Sequence, residues 1–228
     1  MRWVFIVFFL VGCCGTDVSY PGHNYLGARY EISPLGEARA PDVDPLIRFD
    51  AFDCTTFVET VLADGDLERL NNIRYRDGDI GFLNRNHFIE SDWLVNNAGL
   101  VENVSSEFGA TALRHVAIDK SAWLWRVHGV RADFSPVSVD LEYLPYGAFD
   151  GIKINAPMIV LFITDNPEIR DKIGTDLAVV HMGILLPNGM LRHASSVAGR
   201  VVDSDFMEYV EQRAKSKTNI GISLVRIK

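Results

Sequence analysis

The stretch HMGILLPNGMLRHAS, residues 181–195, carries two of the chain's six histidines on either side of a turn signal. AVVHMGILL and MLRHAS are short β-prone runs, and the PNG between them offers Gly189 for a positive φ, the pattern of a β-hairpin. With a three-residue loop, Pro187 to Gly189, Leu186 pairs with Met190 and Gly183 falls opposite His193. His181 and His193 then share one face as diagonal neighbours, roughly 7–8 Å apart at Cα and within reach of imidazole contact. A two-residue Asn-Gly loop shifts the register by one and sends the rings to opposite faces. Gly183 suits the first arrangement because it leaves space beside the His193 ring.

A second informative stretch is FDAFDCTTFVETVLADGDLERL, residues 49–70. Asp53 or Asp50 reads as an N-cap, Phe57, Val58, Val61 and Leu62 fall on one helical face, and Gly65 reads as a stop. Cys54 thus sits in the first turn of a buried helix, where unpaired N–H groups and the positive end of the helix dipole favour thiolate over thiol. Polar neighbours Asp53, Thr55 and Thr56 weigh against a merely packed cysteine. Two histidines and one cysteine admit three readings. The first is a triad with Cys54 as nucleophile, His181 as base and His193 as orienting group. The second is a zinc site lacking a fourth ligand and any CxxC or HExxH spacing. The third is a pair of core histidines.

Composition narrows the function classes. The 228 residues, 48% apolar, suit one large domain. A formal net charge of −8 without a Lys/Arg cluster argues against nucleic-acid binding. The N-terminal MRWVFIVFFLVGCC has one Arg and an apolar run from Trp3 to Gly12, too short for a bilayer and matching a secretory signal. Leu10-Val11-Gly12-Cys13 resembles the bacterial lipobox, which implies lipidation at Cys13. The expected organisation is a signal over residues 1–12, a short linker over 13–24 and a single domain over 25–228, exported and lipid-anchored at the periplasmic face of a bacterial membrane. Only Cys54 remains in the mature body, so no disulfide framework forms unless Cys14 reaches it.

The two motifs together, FDCTTFVE and HMGILLPNGMLRHAS, resemble the NlpC superfamily of papain-like bacterial cell-wall cysteine hydrolases. YLGARYEISPLGE before the cysteine and RNHFIESDW after it are similar to its N-acetylmuramoyl-L-alanine amidase-like branch. The resemblance spans Tyr25 to about Ala194. It implies an α+β papain-like fold, with the nucleophile helix packed on an antiparallel sheet or barrel. It makes Cys54 the nucleophile, His181 the base and His193 the orienting residue, with Tyr30 pointing its hydroxyl at the oxyanion beside the Cys54 N–H. Asn86, His87, Asp92 and Trp93 match the branch's own insert and are expected on the substrate cleft wall, although a buried Trp93 and a capping Asp92 fit as well. No metal or cofactor is required. The implied substrate is peptidoglycan or its muropeptide fragments; the alternatives are a stem-peptide endopeptidase and a non-catalytic wall-binding lipoprotein.

Elsewhere, helical patterning is expected before residue 115 and strands such as PMIVLFI and GISLVRI after 155. The aromatic- and turn-rich segment 119–152 separates them. Trp123 and Trp125 are expected in the core, with a sugar or peptide subsite as the alternative, His115 and His128 as surface or structural residues, and 167–176 as a solvated connecting helix.

Overall fold

Met158–Thr164, which takes in all but the proline of PMIVLFI and the threonine after it, is buried at all seven positions, which requires cover on both of its faces. The computed structural model, describing residues 20–228, places it in the middle of a ten-stranded sheet. In chain order the strands are β1 (Arg29–Tyr30), β2 (Ala51–Phe52), β3 (Val101–Asn103), β4 (Ala112–Ile118), β5 (Val137–Pro145), β6 (Met158–Thr164), β7 (Val179–Leu185), β8 (Met190–Ser195), β9 (Arg200–Asp205) and β10 (Asn219–Ile227). Their order is β2-β1-β9-β8-β7-β6-β10-β5-β4, with β3 also on β10. The β1–β2 pair is parallel and the other pairs are antiparallel. The export signal expected over 1–12, Cys13 and most of the linker lie outside the described residues; His23–Tyr25 form one 3-10 turn.

The helices are short: α1 (Cys54–Leu62), α2 (Leu67–Arg74), α3 (Leu94–Asn96) continuing a π-helical turn over Ile89–Trp93, α4 (Lys120–His128), α5 (Pro167–Ile173) and α6 (Phe206–Ala214). Period-2 alternation along β6 divides the interior. Ile159, Leu161 and Ile163 join Phe57 and Val58 of α1 and Met182, Ile184 and Ala194 of the hairpin. Val160 and Phe162 join Leu185, Leu191 and the α6 anchors Phe206 and Val210 on the other face. Each such fully buried aliphatic or aromatic side chain is worth about 1.5–3 kcal/mol, so β6 is the strand on which both layers depend.

The expected papain-like, NlpC-type architecture is not the one observed. The structure is sheet-dominated, and two features account for the difference. Part of the segment read as aromatic and turn-rich forms β5, which pairs with β4 over seven residues, from Ala112↔Tyr143 to Ile118↔Val137. The region before residue 115, expected to be helical, yields only α1 and α2 as helices of eight or nine residues, the rest being the three-residue α3, the short strands β1, β2 and β3, the start of β4, 3-10 and π turns and loops. Local helical spacing there competes with Gly, Asn and Asp residues that favour turns, and these win where no apolar face continues.

Candidate active site

Cys54 opens α1, which packs on β7 and β8. Its position is held by a capping box. The Asp53 carboxylate accepts from the Thr56 N–H at 2.7 Å, while the Asp53 N–H donates to Thr56 Oγ1 at 3.0 Å. The second Asp53 oxygen accepts from the Ser33 N–H at 3.1 Å, tying the helix start to the preceding loop. Further along α1, Glu59 is buried and paired with buried Arg74, Oε2 to Nε 3.3 Å, and burial pushes the Glu59 carboxyl up. The indole N–H of the wholly buried Trp93 faces the same carboxylate without a well-formed hydrogen bond.

The hairpin closes with Leu186 N–H on the Met190 carbonyl at 2.8 Å and Gly189 at φ 82°. Ile184 pairs with Arg192 and Leu185 with Leu191, a register that brings Gly183 to His193. A Cβ on Gly183 would lie 2.9 Å from His193 Cβ and 3.0 Å from the Arg192 carbonyl, so the glycine is required by close approach. The two imidazoles meet, His181 Nε2 to His193 Nδ1 at 2.8 Å. His193 Nε2 continues the chain to Ser204 Oγ of β9 at 3.2 Å. Ser204 pairs with Leu191 and Val202 with His193, which puts Ser204 diagonally across from the imidazole on the same face. Among the described residues no group of three or more His, Cys, Asp and Glu side chains has the arrangement of a metal-ligand set.

Cys54, Thr55, His87, Ile89 and His181 line one cavity of about 230 Å³ with Leu177, Val179, Val180 and Met182. Among the described residues no hydrogen bond joins Cys54 to His181; the sulfur's side-chain neighbour is Thr55 Oγ1 at 3.9 Å. Burial, with the Asp53 carboxylate adding to it, pushes the Cys54 thiol up from 9.0 to about 11, against the opposing backbone N–H groups of Met182 and Thr55. Burial thus opposes the thiolate that the helix N-terminus favours. Burial, the neighbouring His193 and Arg213 together take His181 down to about 3. Burial takes His193 to about 4, with Asp203 opposing it. The Cys54 and His181 shifts both favour the uncharged forms, thiol and neutral imidazole.

The other residues singled out in the sequence divide into layers. Tyr30 is half-buried on β1 beside the start of α1. Its hydroxyl is pushed up by burial and then by the charges of Cys54 and Asp53, so it stays a proton donor. His87 lines the cysteine cavity, its Nε2 bonded to the Phe82 carbonyl at 2.7 Å and its ring 4.7 Å from that of Trp123. Burial and nearby Lys120 hold it neutral, well below 6.5. Asp92 stands behind it, accepting from the His87 N–H at 3.2 Å and from Lys120 Nζ at 2.7 Å. Asn86 is buried and donates to the Ile73 carbonyl at 2.9 Å; it lines a neighbouring cavity that shares Thr55 and His87 with the one that holds Cys54. Trp93 is core and offers no surface to a cleft. Trp123 is half-buried against His87 and His128, whereas Trp125 is exposed under the Arg131 guanidinium, outside the core expected for it. Ser204 and Tyr209 were not singled out by any motif; their signal is positional, one diagonal to His193 and one on the helix that follows.

The family model for N-acetylmuramoyl-L-alanine amidase-like proteins, the AmiA-like family, matches residues 20–220. The chain belongs to that family. No curated protein matches the sequence. Among solved structures, a Legionella pneumophila protein of the DUF1460 family superposes with a TM-score of 0.82 at 24% identity, over 90% of this chain and 86% of that one. An N-acetylmuramoyl-L-alanine amidase from Bacteroides uniformis gives a TM-score of 0.70 at 26% identity, over 91% and 96% of the two chains. A Bacteroides fragilis protein provisionally named a xylanase gives 0.66 at 26% identity, over 91% and 99%. The sheet-rich architecture shared with these amidase-like and DUF1460 structures is the fold of this family member, in place of the papain-like one expected. Membership carries a hydrolase of the amidase class and a peptidoglycan-type substrate.

Proposed function

We propose that this amidase-family protein is a cysteine amidase that cleaves the amide joining the lactyl group of N-acetylmuramic acid to L-alanine of the stem peptide. The observation that carries the reading is the chain of contacts from His181 through His193 to Ser204, adjoining a cavity that also holds Cys54 at a helix N-terminus. The bond is the one named for the Bacteroides uniformis relative.

Hydrogen-bond direction assigns the base. If His193 Nε2–H donates to Ser204 Oγ, then His193 Nδ1 accepts from His181 Nε2–H, and the lone pair of His181 is left on Nδ1. The opposite polarity would put a proton on Nδ1 and remove the base. With both partners neutral at rest, His181 takes the thiol proton as Cys54 Sγ attacks the amide carbonyl, and delivers it to the departing alanine nitrogen. The thioester left on Cys54 is then hydrolysed by water deprotonated by the same imidazole. The Cys54 N–H and the protonated Tyr30 hydroxyl donate to the tetrahedral oxyanion, and His87 forms part of the cavity wall next to the acyl group. Export and anchoring through Cys13 would place this chemistry beside the wall, with muropeptides as substrate.

The test is mass spectrometry of defined muropeptides after incubation with the mature protein, beside a Cys54→Ala control. Release of the intact stem peptide from the sugar, lost in the control, is the expected result. Shortened stems would move the cleaved bond into the peptide, and equal release by Cys54→Ala would overturn the cysteine mechanism.

A further inference from the structure

α6 follows directly on β9, its N-terminus capped by the Asp205 carboxylate, which accepts from the Glu208 N–H at 2.9 Å. Phe206, Tyr209, Val210 and Arg213 are spaced i, i+3, i+4 and i+7, one stripe of a helix. Phe206 and Val210 are buried anchors on the sheet. Between these anchors the Tyr209 ring centroid lies 4.9 Å from that of His193 at an interplanar angle of 68°, 5.9 Å from that of His181, and 5.1 Å from that of Phe162. Phe162, the cross-strand partner of His181 on β6, contacts that imidazole at 5.5 Å. His181 is therefore flanked by three rings, those of Phe162, His193 and Tyr209, and among the described residues Tyr209 alone touches both imidazoles from outside the sheet. None of the chemistry assigned above uses it.

We propose that Tyr209 is a positioning residue that clamps His181 against His193 and keeps water off their hydrogen bond. The inference rests on the reading of these two imidazoles as the proton-handling pair. The edge-to-face contact uses the ring, since imidazole edges and aromatic faces attract, and a well-packed ring fixes the χ2 angles on which the 2.8 Å bond depends. The charged and titratable groups facing the pair come from three elements: Arg213 on α6, Asp203 on β9 and Cys54 on α1, with Tyr146 beside Arg213. None of these is removed by altering Tyr209. A change in imidazole titration on its substitution would therefore report the loss of cover.

The test is an NMR titration of ring-labelled histidines in the mature protein, for wild type, Tyr209→Ala, Tyr209→Leu and Tyr209→Phe, with thermal unfolding recorded for each. The readout needs no turnover, so it stands or falls separately from the proposed reaction. In wild type and Tyr209→Phe, His181 and His193 stay neutral down to about pH 5; in Tyr209→Ala and Tyr209→Leu both titrate at least about one pH unit higher. On muropeptides, the same two variants lower kcat by about 10-fold with KM little changed, and Tyr209→Phe restores it. Unchanged imidazole titration in both Tyr209→Ala and Tyr209→Leu would overturn the proposal, as would a Tyr209→Phe that titrates like Tyr209→Ala, since the hydroxyl and not the ring would then be responsible. Should Tyr209→Ala fail to fold, the comparison of Tyr209→Leu with Tyr209→Phe decides alone.

Discussion

Gly183→Ala is the sharpest perturbation available to the hairpin. The added methyl would sit 2.9 Å from His193 Cβ, 3.0 Å from the Arg192 carbonyl and 3.0 Å from Leu191 Cδ1. Two of those three atoms belong to the backbone or its first side-chain carbon, so rotamer change relieves only the Leu191 contact. Gly183 is not among the positive-φ glycines, and the cost is therefore purely one of space. Overpacking of this kind costs about 1–3 kcal/mol, and for a chain of this size that lowers Tm by roughly 2–12 °C. Because the clash bears on His193, the separation of β7 and β8 that relieves it also lengthens the His181–His193 bond. Muropeptide turnover is expected to fall by about 10²-fold, the lower end of what a positioned base contributes. The control is Gly99→Ala, where an added Cβ meets nothing within 4 Å. Thermal unfolding of the two variants, with turnover measured on each, gives the comparison. Equal stability and equal activity for Gly183→Ala and Gly99→Ala would refute the close-approach argument.

Two further predictions concern protons. Alkylation of Cys54 by iodoacetamide, corrected with Cys54→Ala, is expected to keep accelerating with pH towards about 11, the value to which burial and Asp53 raise the thiol; a plateau at neutral pH would reveal a thiolate–imidazolium pair instead. Stability should decline on acidification. His193 is lowered from 6.5 to about 4 in the folded chain, so the unfolded chain binds more protons between those values and stability present above about pH 6.5 is lost as pH falls towards 4. The loss is on the order of 3 kcal/mol for this one group, and chemical denaturation of wild type and His193→Gln over pH 4–7 measures it. A variant with the same acid slope as wild type would contradict it.

What the sequence made legible was short in range. The PNG turn and Gly183 specified the relation of His181 to His193, because the period of a strand and the length of one loop are enough to count a register. Asp53, one of two N-cap candidates with Asp50, was legible for the same reason, a cap lying within a single helical turn, whereas its reciprocal bond with Thr56 emerged only in the structure. The architecture was not. β4 carries only Val116 and Ile118 buried, among Arg114, His115 and other half-buried or exposed residues, so nothing local marks ALRHVAI as a strand paired with a segment about 25 residues away. Motif resemblance led to a papain-like fold, since the motifs lie at residues 25–37, the cysteine helix start, residues 85–93 and the hairpin, and carry no information about the strands at the β4 end of the sheet. Tyr209 escaped notice because the register of α6 over the imidazoles depends on where Phe206 and Val210 find their pockets. The Cys54 thiol shows the same limit in energetic form: the helix terminus is visible in the sequence, whereas the burial that opposes it is a property of the assembled cavity.

The proposal that Cys54 is the nucleophile is tested most directly by trapping its acyl form. Mature protein and a defined muropeptide are mixed, quenched in acid at early times, digested, and the peptide containing Cys54 is weighed by mass spectrometry. The account predicts a thioester adduct on Cys54 with the mass of the N-acetylmuramoyl acyl group, formed with release of the stem peptide and lost as turnover completes. Stem-peptide release without any adduct on Cys54, accompanied by undiminished release from Cys54→Ala, would contradict it.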